Sequence, residues 1–263
     1  MRVVMFPSID LVLTFSNVAF TIFGIKVYKY AVLIVLGMLL GLLIMKFNKK
    51  FDIKYDDVLE NFIVGVVAGV IGARIYYVLF NFSAYADNLW DIFKIRDGGL
   101  AIYGGLIFGI LAVVFNCKRK NINVLDFLDY TVPYIALVQC IGRWGNFFNV
   151  EAYGTETHNF FRMAIQTKDI LYQEVHPTFL YESFATLVIF CILMYKQNER
   201  DFKGQILVWY LGLYAFARFF IEGLRIDSLM LGPVRVSQAL SGIIFVVCLG
   251  IVIKNFKRYK RIR

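Results

Sequence analysis

Several stretches of this sequence place charged and amide side chains inside, or at the edge of, long apolar runs. Gln139–Gly154 reads QCIGRWGNFFNVEAYG and carries Arg143, Asn146, Asn149 and Glu151. Arg143 and Asn146 are spaced i, i+3, so a helix presents them on one face. Gly142, Gly145 and Gly154 permit close or irregular backbone there. Tyr214, Arg218, Glu222 and Arg225 recur at i, i+4, i+8 and i+11, again one helix face, with Arg218 and Glu222 in register to pair. His176-Pro177 precedes Tyr181 and Glu182, and the proline is well placed near a helix start. His176 by itself reads as a structural hydrogen-bonding residue. Gly98–Gly105 (GGLAIYGG) sets four glycines around Tyr103. Backbone N–H groups exposed there, at a helix N-terminus, make an anion site, although glycine packing explains the same segment. Arg74 lies inside a further run, as a snorkelling or a functional arginine.

A charge in hydrocarbon costs at least about 2.5–3.5 kcal/mol on insertion scales, so residues kept there face a cavity or a partner. Bidentate guanidinium groups suit phosphate. Arginines on two segments, with amide and hydroxyl donors beside them, describe a basic pocket for a phosphate-bearing lipid. The competing account of the Tyr214–Arg225 face is an ion-pair ladder docking on a neighbouring helix. This chemistry names a class of ligand and stops short of a reaction.

The elements that must position these residues are membrane spans. Of the 263 residues, 59% are hydrophobic and only 18% charged, whereas soluble domains carry about 45–50% apolar and about 25% charged residues. A disordered chain, a soluble nucleic-acid binder and an ordinary cytosolic enzyme are excluded, and membrane lipids rather than nucleic acid are the expected partners. A span needs about 20 apolar residues. Seven segments qualify: Tyr30–Met45, Val58–Phe80, Gly99–Phe115, Tyr130–Asn146, Thr178–Tyr195, Ile206–Phe220 and Val236–Ile253. The fold class is therefore an all-α polytopic membrane protein, one domain over residues 1–263. Residues 1–29 form an N-terminal arm, apolar over Met1–Thr21 but broken by Pro7, Asp10 and Asn17 and read as interfacial or partly buried, with an eighth span over Met1–Thr21 as the competing reading. Residues 254–263 form a basic tail.

Of the 28 lysines and arginines, sixteen lie in Lys46–Lys54, Lys118–Lys120, Lys196–Lys203 and Lys254–Arg263, each following an odd-numbered span. The positive-inside rule puts those segments in the cytoplasm, the N-terminus outside and the C-terminus inside. The polar clusters then gather toward the outer leaflet. Gly37/Gly41, Gly65/Gly69 and Gly105/Gly109 form GxxxG pairs suited to close helix approach. The four cysteines are far apart and mostly within apolar runs, and the two histidines are too few for a typical metal site, so neither disulfides nor a metal is expected. No typical signal peptide is evident in Met1–Ile25.

At Gly142–Gly154 the sequence resembles the prolipoprotein diacylglyceryl transferases, whose signature G-R-x-G-N-F-x-N-x-E-x-x-G it matches in full. The family's GGxxxxGG segment corresponds to Gly98–Gly105, its H-P-x-x-L-Y-E to His176–Glu182, and its Y-x-x-x-R-x-x-x-E-x-x-R-x-D to Tyr214–Asp227. A tyrosine opening the first family span corresponds to Tyr30. The resemblance covers nearly the whole chain. It implies an enzyme of the bacterial cytoplasmic membrane that moves diacylglyceryl from phosphatidylglycerol to the lipobox cysteine thiol of a prolipoprotein signal peptide. A thioether forms, glycerol 1-phosphate leaves, and no cofactor or metal is needed. The alternative is a non-catalytic relative that binds or transports an anionic lipid.

The resemblance also assigns roles. Arg143 binds the lipid head group, and Arg218, aligned by Glu222, is the second cation. Asn146 and Glu151 hold glycerol hydroxyls or orient Arg143. Tyr30 and Tyr214 are hydrogen-bonding walls, and Gly154 lets the loop backbone approach the lipid. Asn149, Gly98, Gly99 and Gly104 complete the substrate-binding set. One position departs from the pattern: Tyr103 stands where many members carry a histidine cast as the base for the thiol. An unperturbed tyrosine titrates near about 10 and makes a poor base at neutral pH. Tyr103 then serves as a hydrogen-bond donor or has its pKa lowered by a nearby arginine. Glu151 or another carboxylate is the other candidate base, and a thiol near pKa about 8.5 needs little help beside two arginines. Cys140, three residues before Arg143, reads as an ordinary buried cysteine.

Overall fold

The computed structural model describes residues 2–86, 88–95, 98–166 and 172–260, with side chains given up to residue 255. The basic side chains expected at Lys257, Arg258, Lys260, Arg261 and Arg263 lie outside the described residues. Seven helices carry most of the chain: α1 (Lys29–Phe47), α2 (Tyr55–Phe80), α3 (Ile102–Arg119), α4 (Val124–Asn149), α5 (Thr178–Lys196), α6 (Gln205–Leu224) and α7 (Val236–Lys260). All seven are long and apolar enough to cross a membrane, and each matches an expected span, most of them longer by a few residues at their ends. The chain is a multi-pass membrane protein. Two compact units divide it, one built from residues 1–50 and 128–263, the other from residues 51–127.

The all-α expectation is corrected in the first unit. Residues 2–28 form four strands, β1 (Arg2–Phe6), β2 (Leu11–Phe15), β3 (Val18–Ile22) and β4 (Ile25–Tyr28), so no eighth span exists there. Strands β1 and β2 pair antiparallel from Arg2 with Phe15 to Phe6 with Leu11, across a turn through Pro7–Ile9 that ends with Asp10 at φ 51°. Strands β3 and β4 close on Phe23-Gly24, both at positive φ, as a two-residue hairpin requires. Two strands far along the chain, β5 (Met163–Gln166) and β6 (Gln173–Val175), complete a sheet of order β2-β1-β5-β6. A short hairpin, β7 (Met230–Leu231) with β8 (Val234–Arg235), joins α6 to α7.

The sheet buttresses one end of the helices. Val4, Met163, Ile165 and Val175 pack with Phe147 of α4 and Phe179 of α5 in one buried cluster, and Arg2 donates to the carbonyl of Phe148 at 2.8 Å. A second cluster, Val132, Ala136, Ile189, Leu193, Ile206 and Tyr210, binds the N-terminal halves of α4 and α6 to the C-terminal half of α5. Helix α1 approaches α4 through its glycines: a Cβ at Gly37 would lie 3.3 Å from the Cα of Val138.

The opposite end is held by polar bonds. Pro133 sits inside α4 and leaves the carbonyl four residues earlier, that of Asp129, without its helical donor. Gln197 supplies one, donating to the carbonyls of Asp129 at 2.9 Å and Tyr130 at 3.1 Å. The fully buried Asp129 carboxylate accepts from the backbone of Gly204 (2.7 Å) and Leu207 (2.9 Å), and pairs with Arg200 at 3.1 Å. A carboxylate on free N–H groups is the favourable arrangement at a helix N-terminus.

The second unit is an antiparallel helix pair. Gly65, Gly69 and Gly72 of α2 face Gly109, Gly105 and Gly104 of α3, so close that a Cβ at Gly104 would lie 2.3 Å from the carbonyl oxygen of Gly72. Arg74 is neither snorkelling nor open to a ligand. It is 7% exposed and donates to the carbonyls of Asp91 (2.6 Å), Ile92 (2.7 Å), Gly98 (2.7 Å) and Gly99 (3.0 Å). It thereby satisfies loop backbone that apolar surroundings would leave unpaired.

Candidate active site

Residues from α4, α5 and α6 meet at the end of the first unit that the sheet supports. Arg143 lies in the last two turns of α4, Glu182 one turn inside α5, and Arg218 and Glu222 in the last two turns of α6. Arg143 pairs with Glu182 Oε2 at 2.8 Å, while Glu182 Oε1 pairs with Arg218. Arg218 also binds Glu222 at 2.5 Å, the i, i+4 contact expected from the spacing. Tyr214 OH stands 3.5 Å from Arg143, as does the side-chain oxygen of Asn146. Arg143 and Arg218 remain 21% and 17% exposed, whereas Glu182 and Glu222 are 3% and 2% exposed. The cations border the accessible side and the acids stand behind them. Buried acids persist where cations compensate them, as Arg143 and Arg218 do for Glu182 and Arg218 does for Glu222.

The rest of the signature folds around this pair. Asn146 and Asn149 both donate to Glu151 Oε1, at 2.9 and 3.1 Å, so three expected site residues form one exposed amide–carboxylate cluster at the C-terminal end of α4. The turn that makes this possible carries Val150 and Ala152 at positive φ. Gly145 receives the ring of Tyr30: a Cβ there would lie 2.2 Å from Tyr30 Cδ2. Gly154 has a packing reason of its own. Its N–H donates to the carbonyl of His176 at 2.9 Å, and a Cβ would lie 2.7 Å from His176 Cβ and 3.0 Å from the Leu224 oxygen.

His176 acts as the structural anchor its sequence context suggests. Its carbonyl accepts from Gly154 and Thr178, its ring meets Tyr181 OH at 3.2 Å, and burial lowers its pKa. Arg225 closes the end of α6. It binds Asp227 in a bidentate pair at 2.8 and 2.6 Å, and that bond holds the Asp227 carboxyl below the usual carboxylate range.

Tyr103, Gly98, Gly99 and Gly104 belong to the second unit. Tyr103 lies in the first turn of α3 and is 63% exposed. Gly98 and Gly99 have positive φ and turn their carbonyls to Arg74, and Gly104 is filled by α2. Two residues have more part in the site than the spacing announced. Glu182 touches three arginines, and the signal available was a lone acid one turn into an apolar span, which demands a cation. Arg235, donating to the carbonyls of Glu222 and Arg225, carried no signal, because its partners are backbone groups on another element. Among the described residues no group of three or more His, Cys, Asp or Glu side chains could hold a metal.

Comparison with known proteins adds to this geometry. The family model described as prolipoprotein diacylglyceryl transferase matches residues 17–254. A phosphatidylglycerol–prolipoprotein diacylglyceryl transferase of Finegoldia magna is 44% identical over 248 residues, covering 94% of this chain and 96% of its own. One from Clostridioides difficile is 49% identical over 227 residues, 86% and 90% of the two chains. One from Clostridium botulinum strain Loch Maree is 43% identical over 199 residues, 73% and 77%.

Proposed function

The chain belongs to the prolipoprotein diacylglyceryl transferase family, and we propose that it transfers diacylglyceryl from phosphatidylglycerol to the lipobox cysteine of a prolipoprotein. The sulfur bonds to the terminal glyceryl carbon, the bond from that carbon to the phosphate oxygen breaks, glycerol 1-phosphate leaves, and the thiol proton is released. The carrying observation is the meeting of Arg143 and Arg218, from two helices, on one buried carboxylate with their accessible side cationic.

Carbon–oxygen cleavage builds negative charge on the departing phosphate, and fixed cations stabilise it without reorganising. Arg143 binds the phosphate, with Tyr214 beside it, and Arg218 is the second cation, oriented by Glu222. The Asn146–Asn149–Glu151 cluster offers donors and an acceptor to the glycerol hydroxyls. Tyr30 walls the site, and Tyr103 is not an obligate base for the thiol. The polar ends of α4 and α6 face the outer leaflet of the cytoplasmic membrane, since lysine- and arginine-rich segments lie at the C-terminal ends of α1, α3, α5 and α7. The signal peptide meets the site there.

Purified protein incubated with phosphatidylglycerol and a lipobox peptide is expected to yield a lipidated peptide, and Arg143→Ala to lose that product while remaining folded. Lipid binding without transfer by the wild type would overturn the assignment in favour of a binding or transporting protein.

A further inference from the structure

One buried carboxylate stands behind both cations of the site. Glu182 Oε2 accepts from Arg143 on α4 at 2.8 Å, and Arg225 stands 3.9 Å from the same oxygen. Glu182 Oε1 is taken by Arg218 on α6. The two short pairs therefore use different oxygens for different helices, and α5 sets the separation of the Arg143 and Arg218 guanidinium groups. Arg218 has a second acid in Glu222, whereas Arg225 is spoken for by Asp227. The three guanidinium groups thus face three carboxylates, and Glu182 is the one that couples Arg143 to Arg218.

We infer that Glu182 is a positioning residue with an electrostatic consequence: it holds Arg143 and Arg218 at a set separation, and its buried charge weakens their grip on phosphate so that the product leaves. This rests on the transfer reaction proposed above. A lipid phosphodiester carries one negative charge, whereas a phosphate monoester carries about 1.5 to 2 at neutral pH. Two unopposed arginines would bind the monoester more tightly than the diester and retain it. A carboxylate a few ångströms behind them repels both anions, and the more highly charged one more strongly.

The test uses purified full-length protein, phosphatidylglycerol, a lipobox peptide and added sn-glycerol 1-phosphate as inhibitor. Glu182→Gln keeps the shape and one acceptor but removes the charge. The expected result is a lower kcat, a KM for phosphatidylglycerol that falls a few-fold, and inhibition by glycerol 1-phosphate that tightens on the order of tenfold. Glu182→Asp keeps the charge but withdraws the carboxylate by one methylene, so kcat falls without tighter inhibition. A carboxylate with only a packing role would lower the yield of folded protein and leave the inhibition constant unmoved. Unchanged or weaker inhibition in Glu182→Gln overturns the inference, as does failure of both variants to fold, since that assigns the carboxylate to assembly alone. Absence of transfer by the wild type would sink the reaction itself, a failure read before any variant is compared.

Discussion

Replacing Gly145 by alanine tests whether the meeting of α1 and α4 sets the geometry of the site. The added Cβ would lie 2.2 Å from Tyr30 Cδ2, 3.0 Å from Cγ and 3.1 Å from Cα. Carbon atoms settle at about 3.5–4.0 Å, so the ring must retreat by more than about an ångström. Rotating the ring is not sufficient, because the Tyr30 Cα is backbone in the first turn of α1, next to Lys29, whose N–H is bonded to the carbonyl of Asn17 at 2.9 Å. The start of α1 must therefore shift against α4, two residues from Arg143. Overpacking of this kind costs about 1–3 kcal/mol, and a misplacement of about 1 Å can lower a rate about 10²-fold. We expect initial rates of peptide lipidation at saturating phosphatidylglycerol to drop on the order of 10- to 100-fold, with a lower thermal midpoint in the same detergent. Gly142→Ala is the internal control: its Cβ would meet only Ile34 Cγ1, at 3.7 Å, an ordinary contact, and alanine favours a helix over glycine by about 1 kcal/mol. Gly145→Ala with wild-type rate and stability, or equal damage from Gly142→Ala, would refute the reasoning.

Gln197→Leu deprives the carbonyls of Asp129 and Tyr130 of their donor and should destabilise the protein by about 1–3 kcal/mol, read as a lower unfolding midpoint with the transfer chemistry retained in whatever remains folded. His176 has its pKa lowered by burial, so the unfolded chain takes up a proton first as pH falls. Its contribution is present above the unfolded value of about 6.5 and is lost as pH drops from there through the folded pKa; the midpoint difference between wild type and His176→Asn should shrink over that range, and a difference independent of pH would contradict the assignment. Tyr103→Phe should retain turnover with at most a modest loss, measured as lipidated peptide per enzyme. Abolished turnover with lipid binding intact would make Tyr103 the base after all.

The helices were legible because their signal is local. Each long apolar run became one helix, and the Arg218–Glu222 pair followed from i, i+4 spacing alone. The strands were not. Segments of four or five mostly apolar residues look like parts of a longer apolar run, and β1 gains its partner β5 from about 160 residues away. Pro7, Asp10 and Asn17 interrupt the apolar run of Met1–Thr21 and were local signs against a span, but they do not say which segments pair as strands. Arg74 shows the same limit from the other side. Its place inside α2 was evident, but that the carbonyls of Asp91, Ile92, Gly98 and Gly99 would consume its donors depended on tertiary contacts that spacing does not show.

What the sequence determined by itself is the set of spans, the polar residues held within them, and the resemblance carried by their motifs. Helical period and the cost of placing charge in hydrocarbon act over a few residues, so they can be read in order along the chain. What only the tertiary structure decided is which of those polar groups share a partner. Glu182 serves arginines 39 and 36 residues away on either side of it in the chain, and Tyr30 rests on Gly145. Those contacts depend on the rotation and depth of separate helices, which are set by glycine contacts, a buttressing sheet and buried ion pairs acting together.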